Sequence, residues 1–109
     1  MTKTMSDKHP WSVEFTGQAK KQKNKLPAEI KDSLVALYLD LTWNGPAQPK
    51  WPHYGKLAGK KKGRDIRHCH LNTGRPAYVA VWEVTDLKTR IMEIRYVGTH
   101  ENADYRRIG

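Results

Sequence analysis

Hydrophobic and polar positions change rhythm several times along this chain, and each rhythm predicts an element. Trp11-Ser12-Val13-Glu14-Phe15 alternates apolar and polar residues, as a short half-buried strand does. Gln18 to Lys25 is a basic run of good helix formers, and Thr16 is placed to cap it. Pro27 suits the first turn of a second helix that runs to about Trp43. Ile30, Leu34, Leu37 and Leu41 recur there at three- and four-residue steps and make one apolar stripe. Asn44-Gly45-Pro46 ends that helix, and a proline-rich loop with Trp51 follows as far as His53.

Beyond the loop the period shortens to two. Asp65 to Leu71, Tyr78 to Val84 and Arg90 to Val97 read as strands. The turns between them are Asn72-Thr73-Gly74-Arg75-Pro76 and Thr85-Asp86-Leu87-Lys88. The expected order is β-α-α-β-β-β, an α+β fold with an antiparallel sheet and two helices on one face. Residues 1–10 are polar and expected to be a frayed tail with no secretory signal, and 11–109 to be one domain. Alternation sends His68 and His70 to one side of their strand and Cys69 and Leu71 to the other, into the helix-covered core. Cys69 is the sole cysteine, which excludes an internal disulfide and fits a reducing cytoplasm.

Charge narrows the partners. Among 109 residues, 20 are Lys or Arg and 11 Asp or Glu, a formal charge of +9. Such an excess favours a polyanion, nucleic acid above all. A membrane partner is not expected, because the chain has no long apolar segment and no basic helix with a bulky apolar face.

Histidine and lysine supply the candidate chemistry. Cleaving RNA without a metal requires a base for the 2′-hydroxyl, an acid for the leaving 5′-oxygen, and positive charge for the phosphorane. Imidazole serves the first two roles because its ordinary pKa is about 6.5. His70 and His100 are the candidate acid/base pair, with His68 beside them to assist or hold phosphate. Lys56, Lys60, Lys61, Lys62 and Arg64 are candidate phosphate contacts, joined by Arg75 at the hairpin tip. Tyr78 and Tyr105 are the candidate rings for stacking on bases. His68, His70 and His100 are enough imidazoles for a zinc site, but the cationic surroundings repel a metal, so neither metal nor cofactor is expected.

Three stretches carry a resemblance. Gly55-Lys56-Leu57-Ala58-Gly59, the strand Arg67-His68-Cys69-His70, and Gly98-Thr99-His100 followed by Tyr105 resemble the RelE/ParE superfamily of bacterial toxins, near its YafQ-like branch. The resemblance runs from about Trp11 to Tyr105. It implies a small ribonuclease that cuts mRNA in the ribosomal decoding site, represses translation, and is held inactive by a cognate antitoxin. The resemblance leaves the oligomeric state of the free toxin open, a monomer included. The same superfamily includes non-catalytic gyrase poisons, and a plain RNA-binding module is a further alternative. By position, His70 matches the strand histidine that YafQ-like toxins use in catalysis, and His100 their histidine after Gly-Thr, where RelE has arginine. His68 and His70 stand where RelE carries two lysines, and Tyr105 falls near a terminal aromatic. His53 lies about two residues from a further YafQ-like histidine and is given an accessory role. Ala77-Tyr78 replaces the Asp-Trp pair of YafQ, so the carboxylate of that scheme is missing here.

Overall fold

The computed structural model describes residues 9–57 and 63–104. Strand β1 (Ser12–Phe15) leads into helix α1 (Gly17–Lys23), and helix α2 (Ala28–Asn44) follows. Four strands complete the order: β2 (Gly55–Lys56), β3 (Asp65–His70), β4 (Tyr78–Asp86) and β5 (Ile91–Thr99). Thr16 caps α1 as expected, its Oγ1 accepting from the Ala19 amide at 3.1 Å. Gly45 ends α2 at φ 89°, a left-handed conformation that glycine adopts without a Cβ clash, and donates its amide to the Leu41 carbonyl.

The strands form one sheet in the order β1-β5-β4-β3-β2. From β5 to β2 every pairing is antiparallel, but β1 runs parallel to β5, so the sheet is mixed. The two helices separate β1 from the other strands in sequence, and a crossover of that length permits a parallel return. Helices and sheet share a core that includes Leu34, Leu37 and Leu41 of α2 and Cys69, Trp82, Met92, Ile94 and Val97 of the strands.

Strict alternation would send Ile94 and Val97 to opposite faces, yet both lie in that core. A bulge explains it. The register steps from Val81↔Tyr96 to Trp82↔Ile94, leaving Arg95 as the extra residue. Tyr96 therefore faces away from the helices. There it joins Ile66, Val79 and Val81 in a second, smaller cluster, with Leu57 and Ala103 packed against it. The face opposite the helices thus has an apolar centre of its own, and polar groups are arranged around it. Among the described residues, no helix is long and apolar enough to cross a membrane.

Candidate functional site

The polar margin of this second face gathers histidines. His68 and His70 lie on β3 with Ile66, on alternate residues, and therefore point away from the helices. His100 follows β5 directly, and its amide donates to the Ala77 carbonyl at 2.8 Å. That bond brings the end of β5 beside the start of β4. His53 arrives from the proline-rich loop. The Pro52 carbonyl accepts the His70 amide at 2.8 Å, which holds the loop along the outer edge of β3.

The rings meet as a result. His53 and His70 have centroids 4.1 Å apart, and His70 and His100 5.5 Å apart. Imidazoles this close repel one another when charged. Burial, then the charges of His53, His100 and His68, holds the His70 pKa below its ordinary value. Burial, then His100 and His53, does the same for His68. A proton on one of these rings therefore makes His68 and His70 poorer bases. His70, held below its ordinary value, is a proton acceptor near neutral pH, one of the two roles that acid–base catalysis requires. Among the described residues, no group of three or more His, Cys, Asp or Glu side chains is arranged to hold a metal ion. Cys69, between two of these histidines, points into the core, and burial pushes its thiol up to about 12.

The other sequence candidates are spread out. Lys56 pairs with Arg67, so it shares the helix-side face and not that of the histidines; its charge helps hold the Asp65 carboxyl low. Arg64 is engaged by Glu83: its Nε donates to Oε2 at 2.9 Å and its Nη2 donates to Oε1. Arg95 closes on the same carboxylate, with Nε 3.1 Å from Oε1. Neither Glu83 nor Arg95 stood out in the sequence, because charged residues within an apolar strand show no partner until the strands pair. Arg75 is exposed in the hairpin. Tyr78 is half-buried and packs against the helix-side core, not beside the histidines. Lys60, Lys61, Lys62 and Tyr105 lie outside the described residues.

The fold has close counterparts among solved structures. A chain of the archaeal RelE–RelB complex from Pyrococcus horikoshii OT3 superposes with a TM-score of 0.68 at 18% identity, covering 87% of this chain and 100% of that one. The chain has a RelE-like fold. Escherichia coli toxin RelE, as a double arginine-to-alanine mutant in the free state, superposes with a TM-score of 0.64 at 16% identity, over 91% and 93% of the two chains. In the E. coli DinJ–YafQ toxin–antitoxin complex the figures are 0.61 and 22%, over 85% and 96%. No family model and no curated protein sequence matches the chain. The likeness is one of fold, at 16–22% sequence identity.

Proposed function

We propose that this chain is the toxin of a bacterial type II toxin–antitoxin pair, and that it represses translation by cutting mRNA on the ribosome. The observation that carries the reading is the contact of His53 and His100 with His70, at 4.1 and 5.5 Å between ring centroids. The RelE-like fold and the antitoxin-bound state of two of the superposed structures support it. A gyrase poison acting by contact alone has no use for coupled imidazoles.

In this reading His70 is the base. Its depressed pKa keeps it neutral near pH 7, able to take the proton of the 2′-hydroxyl. The 2′-oxygen attacks the phosphorus, and the bond from phosphorus to the 5′-oxygen breaks. His100 gives the leaving oxygen its proton, so the products are a 2′,3′-cyclic phosphate and a free 5′-hydroxyl. His53 packs at a tilt against His70 and fixes its ring, and His68 assists beside them or holds phosphate by hydrogen bonding. Lys60, Lys61 and Lys62 of the basic loop would draw the substrate backbone in, with Lys56, Arg64 and Arg75 adding long-range attraction. Tyr105 would stack on a base.

The test is controlled expression in the cytoplasm, with and without a cognate antitoxin, followed by mapping of mRNA 5′ ends. New ends within translated messages are expected from the wild type and are expected to vanish in His70→Ala and His100→Ala. Both variants arresting translation as the wild type does would remove the proposed chemistry. DNA damage without new 5′ ends would point to a gyrase poison. RNA binding without cleavage on ribosomes would leave a plain RNA-binding module.

A further inference from the structure

Strand β1 covers only the first part of β5. Their pairing ends at Phe15↔Ile94, and β5 runs on to Thr99. Past that point α1 lies along the open edge in place of a strand. Gln22 Oε1 accepts the Val97 amide at 3.1 Å, so Val97 turns its backbone groups outward, toward α1. Alternate residues of an antiparallel strand address the same edge, so the Thr99 amide points outward as well. The Gln22 carboxamide has its oxygen fixed on Val97, and its NH₂ is the group left to meet a ligand. Beside these groups lies a cleft of about 940 Å³, lined by Gln22, Lys25, Tyr78, Val97 and Thr99 among others. Thr99 directly precedes His100, so one end of the cleft reaches the chain position next to the histidine cluster.

The walls combine an aromatic ring, hydrogen-bonding groups and cations. Tyr78, the stacking candidate that the histidines leave unused, is half-buried here. Of the described residues that line the cleft, Lys25, Arg64 and Arg95 are cationic and Asp104 alone is acidic. Arg64 and Arg95 share Glu83, and Arg95 also meets Glu93, so the exposed Lys25 is the cation best placed to bind an anion. A ring face, a fixed amide and a cation are the parts that hold an unpaired nucleotide. They stack on its base, bond the edge of that base, and pair with its phosphate.

We propose that the cleft between α1 and the end of β5 is a subsite for one unpaired nucleotide of an RNA strand, with its base against Tyr78 and Gln22 and its phosphate at Lys25. The inference rests on the proposed function in naming the strand: the nucleotide is one that flanks the cleaved bond, because Thr99 is joined to His100. An extended peptide added to the sheet fits poorly. Past the bulge only Val97 and Thr99 turn outward, Gln22 already takes the Val97 amide, and α1 stands where a strand would lie. Free inorganic phosphate fits poorly too, since it makes no use of the Tyr78 ring.

The test uses the full chain and a short single-stranded RNA whose 2′-hydroxyls are methylated, which blocks cleavage. NMR shifts are followed on titration, with inorganic phosphate and a strand-forming peptide as comparison probes. RNA is expected to shift the Thr99 amide, the Gln22 side-chain NH₂ and the Tyr78 ring, and phosphate to leave them in place. Gln22→Glu keeps an oxygen for the Val97 amide and puts negative charge where the NH₂ donor was, so it removes the contact without opening the edge. Checked for folding by circular dichroism, it is expected to weaken RNA binding at least about tenfold. Lys25→Gln should weaken binding and flatten its log–log salt slope by about 0.7, the value for one phosphate contact on a single strand. Unchanged affinity in Gln22→Glu, shifts confined to the histidines, or phosphate that moves Thr99 as RNA does would overturn the proposal. So would a peptide that occupies the edge where RNA does not. His70→Ala, which loses cleavage under the proposed function, should still show the RNA shifts at Gln22 and Thr99. Loss of cleavage and an empty cleft therefore register separately.

Discussion

The imidazole of His53 lies 4.1 Å from that of His70, centroid to centroid, with the ring planes tilted by 32°. His53 reaches this position from a loop, at a φ of 55°. Its positive charge is one of the causes that hold the His70 pKa down, after burial and ahead of His100 and His68. Replacing His53 with glutamine takes away that charge. The His70 titration should then move to higher pH, as read from imidazole proton shifts. If His70 is the base, cleavage near neutral pH should also fall, because more of His70 is then protonated and its ring has lost a packing neighbour. A His70 titration that stays where it was would show that the two rings are not coupled.

The same depression makes the fold sensitive to mild acid. His68 and His70 both have folded pKa values below the unfolded one, burial being the first cause in each case. The unfolded chain therefore binds protons more readily, and protons favour unfolding. The contribution of these histidines is complete above about pH 6.5 and drains away as pH falls through their folded values. Asp65 and Glu83 are held low by Arg67 and Arg64, so their contribution persists until below about pH 4. The thermal midpoint should accordingly drop between pH 7 and pH 5, and drop less in His68→Gln. A midpoint flat across that interval, in both proteins, would show that the clustered rings store no such penalty.

Much of the frame is legible in the chain because it rests on short-range rules. The Thr16 cap, the Ile30–Leu34–Leu37–Leu41 stripe and the three long strands follow from side-chain period and turn chemistry alone. The parallel pairing of β1 with β5 is a choice between distant segments, and nothing local encodes it. The bulge at Arg95 is a one-residue slip that alternation cannot foresee, yet it decides that Tyr96 and not Val97 faces away from the helices. The site divides in the same way. That His68 and His70 share a side is a matter of parity on one strand. That His53 touches His70 depends on a two-residue strand, β2, too short to leave a pattern.

The loop that delivers His53 is tied to α2, and the ties can be cut singly. Trp51 Nε1 donates to Asp40 Oδ2 at 2.8 Å, and Gln48 Nε2 donates to the carbonyls of Asp40 and Gly45. Trp82 Nε1 donates to the Pro46 carbonyl at 3.2 Å and holds the start of the loop. Trp51→Phe keeps an aromatic ring and deletes the donor to Asp40. It should cost about 1 kcal/mol of stability. The more telling result lies in the site. His53 loses its fixed approach, so the His70 titration should shift part of the way seen in His53→Gln. Asp40→Ala should do the same, and the double variant should be no worse than either alone, because both break one bond. Additive losses would mean that the two residues act separately.

His100 depends on a different support, at the end of β5. The Tyr96 hydroxyl donates to the Thr99 carbonyl at 2.8 Å, just before the histidine. A methyl group at Gly98 would stand 2.7 Å from that hydroxyl and 3.0 Å from Cζ of the same ring. Tyr96 is only 8% exposed and packed among Ile66, Val79 and Val81, so the ring has little room to retreat. Gly98→Ala should therefore cost about 1–3 kcal/mol, as overpacking does. It should also break the bond to Thr99 and shift His100 away from His70. Cleavage should fall further than the loss of folded protein explains. Removing the crowded hydroxyl relieves the strain, so Gly98→Ala with Tyr96→Phe should melt at a higher temperature than Gly98→Ala alone. Tyr96→Phe by itself should be destabilising, since it gives up the bond to Thr99. That reversal of sign is specific to a clash at the hydroxyl, and two substitutions that simply add their costs would refute it.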